Sequence, residues 1–122
     1  SKGRKIIGFS SLKGEGNLST EVERLVHEYS TLENAAPVYN WTINNDYHFG
    51  GYGKVTDELS AYVQQFETEQ NILLDPVYTS KMMFGIFDMI ENNFFARGSN
   101  IIAIHTGGLQ GWKKYEAASY LP

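Results

Sequence analysis

Short apolar runs alternate along this chain with segments whose apolar residues recur at helical spacing. Residues 4–10 form an apolar run that ends at a glycine-rich stretch, and residues 38–43 form a second run. Between them, apolar side chains recur every three or four residues from 18 to 32. A strand, a helix and a second strand in this order predict two parallel strands joined by a crossover helix. This β-α-β pattern restricts the fold more than any other feature.

Two further helices and one further strand are predicted after residue 43. Ser19 or Thr20 is the expected cap of the first helix, and Thr56 is expected to cap a second helix that runs through about Asn71. A third helix is predicted over residues 79–93, with Thr79 or Ser80 as its cap. Its apolar side chains are expected to face inward: Met82, Met83, Ile86, Phe87, Ile90 and Phe94.

The segment Asn100-Ile-Ile-Ala-Ile-His105 gives the clearest prediction of a buried strand, and a last helical segment is expected to follow it through about Tyr120. The fold class is therefore α/β, a three-layer αβα arrangement with a short, mainly parallel sheet in one domain over residues 1–122. Three strands are few for such a sheet, which usually has five or six. We therefore expect the chain to be part of a longer protein.

Composition excludes several classes of function. The net charge of −4 argues against nucleic-acid binding, which needs clustered positive charge. No apolar run approaches the length of a membrane span, and the absence of cysteine removes disulfides and thiolate metal sites. We expect a cytoplasmic protein with a small-molecule ligand, no metal site, and no membrane or nucleic-acid partner.

Three segments could contact a ligand, and each has a purely structural alternative. Residues 105–108, His-Thr-Gly-Gly, end a predicted strand, where backbone amides can approach a ligand or simply form a tight turn. Residues 75–81, Asp-Pro-Val-Tyr-Thr-Ser-Lys, place a tyrosine and two hydroxyls at a helix start. Residues 50–54, Gly-Gly-Tyr-Gly-Lys, form a flexible aromatic loop or a surface turn. By itself, His105 is expected to be satisfied by a neighbouring backbone group.

Taken together, these segments resemble a known family. The stretches Lys5–Ser10, Tyr52-Gly53, Leu74–Lys81 and Gly98–Gly108 are similar, in order and spacing, to the C-terminal portion of the 1-aminocyclopropane-1-carboxylate deaminase and D-cysteine desulfhydrase family. Members of this family are pyridoxal-phosphate enzymes with the tryptophan-synthase-β-like fold, known as fold type II. The resemblance therefore implies part of a homodimeric enzyme that acts on a small amino acid.

The resemblance also implies roles for individual residues. Tyr78 matches the family's active-site tyrosine in the Asp-Pro-Val-Tyr motif, and Tyr52, before a glycine, matches its second active-site tyrosine. Thr79 is at the position that faces the pyridine nitrogen, where deaminases carry Glu and desulfhydrases carry Ser or Thr. Thr106, Gly107 and Gly108 match the cofactor-binding His-x-Gly-Gly motif, in which deaminases typically have Leu at the second position.

Both diagnostic positions favour the desulfhydrase reaction, in which D-cysteine loses its α-proton and sulfide and gives pyruvate and ammonia. Deaminase activity is the alternative. The family's cofactor-bearing lysine and phosphate-binding loop lie in its N-terminal portion and are not found here, so Lys54, Lys81 and Lys113 are interpreted as surface residues and the chain alone is expected to be inactive. A flavodoxin-like binding module without chemistry is a further alternative.

Overall fold

The strands and helices follow one another in the order that the sequence predicts, up to residue 91. The structure is a computed structural model, which describes residues 3–14 and 16–112. Its elements are the strands β1 (Ile6–Phe9) and β2 (Trp41–Asn44), the helices α1 (Leu18–Leu32), α2 (Asp57–Gln70) and α3 (Thr79–Glu91), and a 3-10 turn at Leu109–Gly111.

Strands β1 and β2 form a parallel pair, as predicted. Ile6 lies opposite Trp41 and Phe9 opposite Asn44, with backbone hydrogen bonds continuing beyond both ends of the ladder. β1 is half-buried rather than buried, and β2 begins at Trp41, three residues later than the apolar run that predicts it. The predicted α/β class with a short parallel sheet is confirmed.

Helix α1 has the predicted bounds but not the predicted cap. It begins at Leu18 after Asn17, whose side chain makes no capping hydrogen bond, so Ser19 and Thr20 lie inside the helix. The apolar side chains of Leu25 and Leu32 are exposed. The periodicity that predicts the helix is therefore present, but the described residues leave much of its apolar stripe uncovered.

Helix α2 follows the sequence prediction closely. Thr56 Oγ1 accepts a hydrogen bond of 3.1 Å from the backbone amide of Leu59, and the helix ends at Asn71, which adopts a left-handed conformation. Its buried face forms the apolar core with residues from the following loop and the end of the described chain: Val63, Phe66, Leu74 and Trp112. Trp112 also donates its indole N–H to the carbonyl of Leu74 at 2.7 Å.

Helix α3 packs against β1 through a glycine. A β-carbon at Gly85 would lie 2.7 Å from Phe9 Cε1 and 2.8 Å from Tyr47 Cδ2, so the absence of a side chain allows this close approach. Tyr47 donates its hydroxyl to Asp88 at 2.8 Å, on the same helix. Burial and this hydrogen bond raise the pKa of Tyr47 to about 12.

The predicted inward face of α3 is partly wrong. Ile86 is buried, but Phe87, Ile90 and Phe94 are exposed, and the helix ends at Glu91 rather than at residue 93. The long run of apolar residues hides the actual buried stripe, because almost every position could belong to it. None of the helices in the described ranges is long and apolar enough to cross a membrane.

The prediction of a buried strand at residues 100–105 is wrong for the described structure. This segment forms no strand, and Ile102 and Ile104 are 89% and 69% exposed. An apolar run forms a strand only when another strand supplies hydrogen-bonding partners, and within residues 3–14 and 16–112 the sheet has two strands. The predicted helix through Tyr120 lies outside the described residues after Trp112, apart from the turn at Leu109–Gly111.

The contact at Gly85 predicts a loss of stability on substitution. Gly85→Ala should lower the free energy of unfolding by about 1–3 kcal/mol, despite the better helix propensity of alanine, because the methyl group overlaps two aromatic rings. Gly111→Ala is the control, since its β-carbon would meet Pro76 at 3.4 Å, an ordinary contact. Urea denaturation of both variants tests this, and equal midpoints would contradict it.

Candidate active site

A buried carboxylate organises the start of helix α3. Asp75 Oδ1 accepts hydrogen bonds from the amides of Val77 at 2.9 Å and Tyr78 at 2.7 Å, and Oδ2 accepts one from the amide of Thr79 at 2.7 Å. Asp75 is fully buried. The predicted cap at Thr79 or Ser80 is therefore wrong, and these three amides are already occupied and cannot bind an anionic ligand.

The hydroxyl of Thr79 belongs to the same network. It donates to Asp75 Oδ2 and accepts a hydrogen bond of 2.9 Å from the backbone amide of Asp75. Thr79 is 2% exposed. Because a hydroxyl has one proton and two lone pairs, one lone pair of Thr79 remains for a further donor.

The glycine corner at residues 107–108 lies against Asp75. Gly107 and Gly108 have φ values of +90° and +83°, which side chains rarely adopt. A β-carbon at Gly108 would lie 3.2 Å from Asp75 Cγ. Two segments that the sequence marks as ligand-binding candidates, more than 20 residues apart, are thus in contact.

His105 supports this corner instead of serving as a free base. Its Nδ1 accepts a hydrogen bond of 3.0 Å from the amide of Gly107, so the ring proton is on Nε2, which lies 2.9 Å from the carbonyl of Leu73. The prediction that backbone groups satisfy His105 is confirmed. Thr106, between His105 and the glycines, is exposed.

The two candidate tyrosines come together although 26 residues separate them. The hydroxyls of Tyr52 and Tyr78 are 3.1 Å apart and the ring centroids 6.1 Å apart. The hydrogen bond with Tyr52, and secondarily burial, raise the pKa of Tyr78. The rings are 59% and 50% exposed, so a ligand can reach a protonated phenol at neutral pH.

Lys81 is the residue that sequence reasoning misjudged. It is 1% exposed, and its Nζ donates a hydrogen bond of 3.0 Å to the carbonyl of Gly51, so the interpretation as a surface lysine is wrong. Burial lowers the pKa of Lys81, an effect that the nearby Asp75 opposes. The helical period could have indicated this, because Lys81, Gly85 and Met89 recur every four residues along the buried stripe of α3.

Ser80 is a second polar residue that sequence reasoning did not single out beyond its capping potential. It is fully buried, and its Oγ has no hydrogen-bond partner among the described residues. An unpaired buried hydroxyl costs free energy, which is often tolerated at a functional site. In the described ranges, no three His, Asp or Glu side chains come close enough together to hold a metal ion.

The Asp75 network should be sensitive to loss of a single acceptor. Asp75→Asn replaces one carboxylate oxygen with an NH2 group that faces backbone donors, so the free energy of unfolding should fall by about 3 kcal/mol. Asp57→Asn, at an exposed position in the first turn of α2, should cost less than about 1 kcal/mol. Equal losses in urea denaturation would contradict a special role for Asp75.

Known proteins resemble this chain over part of their own length. No protein-family model matches the chain. The chain is 41% identical over 70 residues to a Pyrococcus horikoshii protein provisionally named 1-aminocyclopropane-1-carboxylate deaminase, a match that covers 57% of this chain. It is 31% identical over 88 residues, 72% of the chain, to a D-cysteine desulfhydrase of Serratia proteamaculans.

A solved crystal structure shows the same likeness over almost the whole chain. The structure of an ACC deaminase homologue superposes with a TM-score of 0.82 and 30% identity over 94% of this chain. The chain spans 21% of the Pyrococcus protein, 26% of the Serratia protein and 35% of the solved chain. It is therefore homologous, over about a fifth to a third of their length, to the family of proteins named 1-aminocyclopropane-1-carboxylate deaminase and D-cysteine desulfhydrase.

Proposed function

We propose that this chain forms one side of the active site of a pyridoxal-phosphate-dependent D-cysteine desulfhydrase. The observation that carries the proposal is the reachable pair of phenols, Tyr52 and Tyr78, next to a threonine hydroxyl held by a buried carboxylate. The natural full-length enzyme would act on a small amino acid in the cytoplasm as a homodimer, as the family resemblance implies.

The residues present fit pyridoxal phosphate at its ring nitrogen. Thr79 lies at the position that would face the ring nitrogen, and its hydroxyl would hold an unprotonated nitrogen by donating to it in place of Asp75 Oδ2. A β-carbon at Gly107 would meet no atom within 4 Å, so the corner leaves open space for the group beside Gly107 and the exposed Thr106, whereas Gly108 lies against Asp75. When bound, pyridoxal phosphate withdraws electrons from the α-carbon of the substrate.

Tyr78 would be the proton donor of the reaction. Its hydroxyl is reachable, and its raised pKa keeps the proton on the phenolic oxygen at neutral pH. From this position it can transfer a proton to the sulfur that leaves D-cysteine. Tyr52 keeps that hydroxyl oriented through the 3.1 Å hydrogen bond.

Thr79 and Thr106 support D-cysteine over the cyclopropane amino acid as the substrate. A neutral hydroxyl at Thr79 leaves the ring nitrogen less strongly protonated than a carboxylate would, and this suffices for a substrate that carries an α-hydrogen. Opening a cyclopropane ring on a carbon without hydrogen requires different acid-base assistance. The second candidate is nevertheless 1-aminocyclopropane-1-carboxylate deaminase, because relatives carry both names.

The cofactor-bearing lysine would come from another part of the full-length protein. Among the lysines of the described ranges, Lys81 is buried against the carbonyl of Gly51, and Lys5, Lys13 and Lys54 are exposed. None of them matches the family's cofactor lysine. We therefore propose that the 122-residue chain alone lacks activity.

The substrate assignment is tested on the natural full-length protein loaded with pyridoxal phosphate. It should release pyruvate and sulfide from D-cysteine faster than 2-oxobutanoate from 1-aminocyclopropane-1-carboxylate. Tyr78→Phe should lower kcat/KM by about 100-fold or more, because it removes the proton donor. Tyr39→Phe, at another exposed tyrosine, is the control and should leave kcat/KM unchanged. A faster reaction with the cyclopropane amino acid would contradict the ranking.

The lysine assignment is tested on the 122-residue chain itself. After incubation with pyridoxal phosphate and reduction with borohydride, mass spectrometry should find no lysine that is labelled specifically. Burial lowers the pKa of Lys81, but its amine is enclosed against the carbonyl of Gly51, out of reach of the cofactor. Stoichiometric labelling of one lysine would overturn the assignment.

A further inference from the structure

The ammonium group of Lys81 joins two segments that each carry an active-site tyrosine. Lys81 lies in the first turn of α3, three residues after Tyr78. Its Nζ bonds the carbonyl of Gly51, the residue immediately before Tyr52. The hydrogen bond therefore connects the helix that bears Tyr78 to the loop that bears Tyr52.

The loop presents this carbonyl because of its glycine backbone. Gly50 and Gly51 have φ values of +99° and +127°, in a region that other residues rarely adopt. Gly51 donates its amide to the carbonyl of His48 at 3.2 Å, and its own carbonyl also accepts from the amide of Lys54 at 3.1 Å. The turn thus fixes the direction of the Gly51 carbonyl, and Lys81 fixes its position relative to α3.

A buried ammonium group is costly unless it is paired, so this arrangement requires an explanation. The described partner of Nζ is one neutral carbonyl, and Asp75 is the acidic group that favours the charged form. A leucine or methionine at this position could fill the same space without the desolvation cost. The presence of a lysine at position 81 is therefore better explained by its position-fixing contact with the loop at Gly51 than by a contribution to the stability of the fold.

We propose that Lys81 is a positioning residue, whose buried ammonium group holds residues 50–53 against α3 and so keeps the Tyr52 hydroxyl within hydrogen-bonding distance of the Tyr78 hydroxyl. The inference rests on the proposed function only in assigning the tyrosine pair to the reaction. The claim that Lys81 holds the two tyrosines together concerns only contacts within this chain.

The test is a titration of tyrosine hydroxyls in the natural full-length protein without added cofactor. In Lys81→Met, which keeps an unbranched chain as far as the ε-carbon but removes the donor, the Tyr78 pKa should shift down toward its ordinary value, as it should in Tyr52→Phe. Lys54→Met, which removes an exposed lysine from the same loop, should leave it unchanged. NMR of protein labelled with ¹³C at tyrosine Cζ measures each pKa, and Tyr78→Phe assigns the signal.

An unchanged or raised Tyr78 pKa in folded Lys81→Met would overturn the proposal, since loss of the lysine's positive charge by itself can only raise that pKa. If Lys81→Met does not fold, the contact between Lys81 and Gly51 can still be tested in the unsubstituted protein. NMR should then show a coupling across the hydrogen bond between Lys81 Nζ and the Gly51 carbonyl carbon, and its absence would contradict the proposed contact.

Catalysis provides a separate measurement. With D-cysteine and saturating pyridoxal phosphate, Lys81→Met should lower kcat by on the order of 10- to 100-fold with a smaller change in KM, because the tyrosine pair is misplaced. The unsubstituted protein could prove inactive while Lys81→Met still shows the predicted fall in the Tyr78 pKa. That result would reject the proposed function and support the positioning role. Full kcat in Lys81→Met would reject the positioning role.

Discussion

The buried carboxylate of Asp75 is the interaction on which the candidate site depends. It accepts hydrogen bonds from three consecutive backbone amides and from the hydroxyl of Thr79, so it determines where α3 begins. The same side chain touches the corner at Gly108. A carboxylate accepts up to about four hydrogen bonds, and these four donors use that capacity within the protein. Asp75 is thus a structural group that leaves ligand contacts to its neighbours.

Glycines allow the close approaches that bring the site together. Gly85 lets α3 lie against Phe9 of β1 and against Tyr47, and Gly108 lets the last described segment reach Asp75. In each case a β-carbon would lie well within normal contact distance of another group. Glycines therefore allow the close packing of α3 on the sheet and of the last described segment on Asp75.

The polar residues of the site fall into two groups by exposure. Asp75, Thr79 and Lys81 are buried, whereas the two tyrosines are exposed. Buried groups are held in position by their partners, whereas the exposed hydroxyls remain accessible to a substrate. This separation of supporting from reacting groups is what the proposed chemistry requires.

The sequence by itself determined the order of strands and helices, the cap of α2 and the candidate tyrosines, because these depend on local periodicity, local hydrogen bonding and motif resemblance. It misassigned residues 100–105 as a buried strand, since strand formation depends on a partner far along the chain. Only the tertiary structure placed Tyr52 beside Tyr78 and Lys81 beneath Gly51. Those contacts depend on how the loop that carries Gly51 and Tyr52 folds back onto α3, and no local sequence pattern encodes contacts between residues so far apart in the chain.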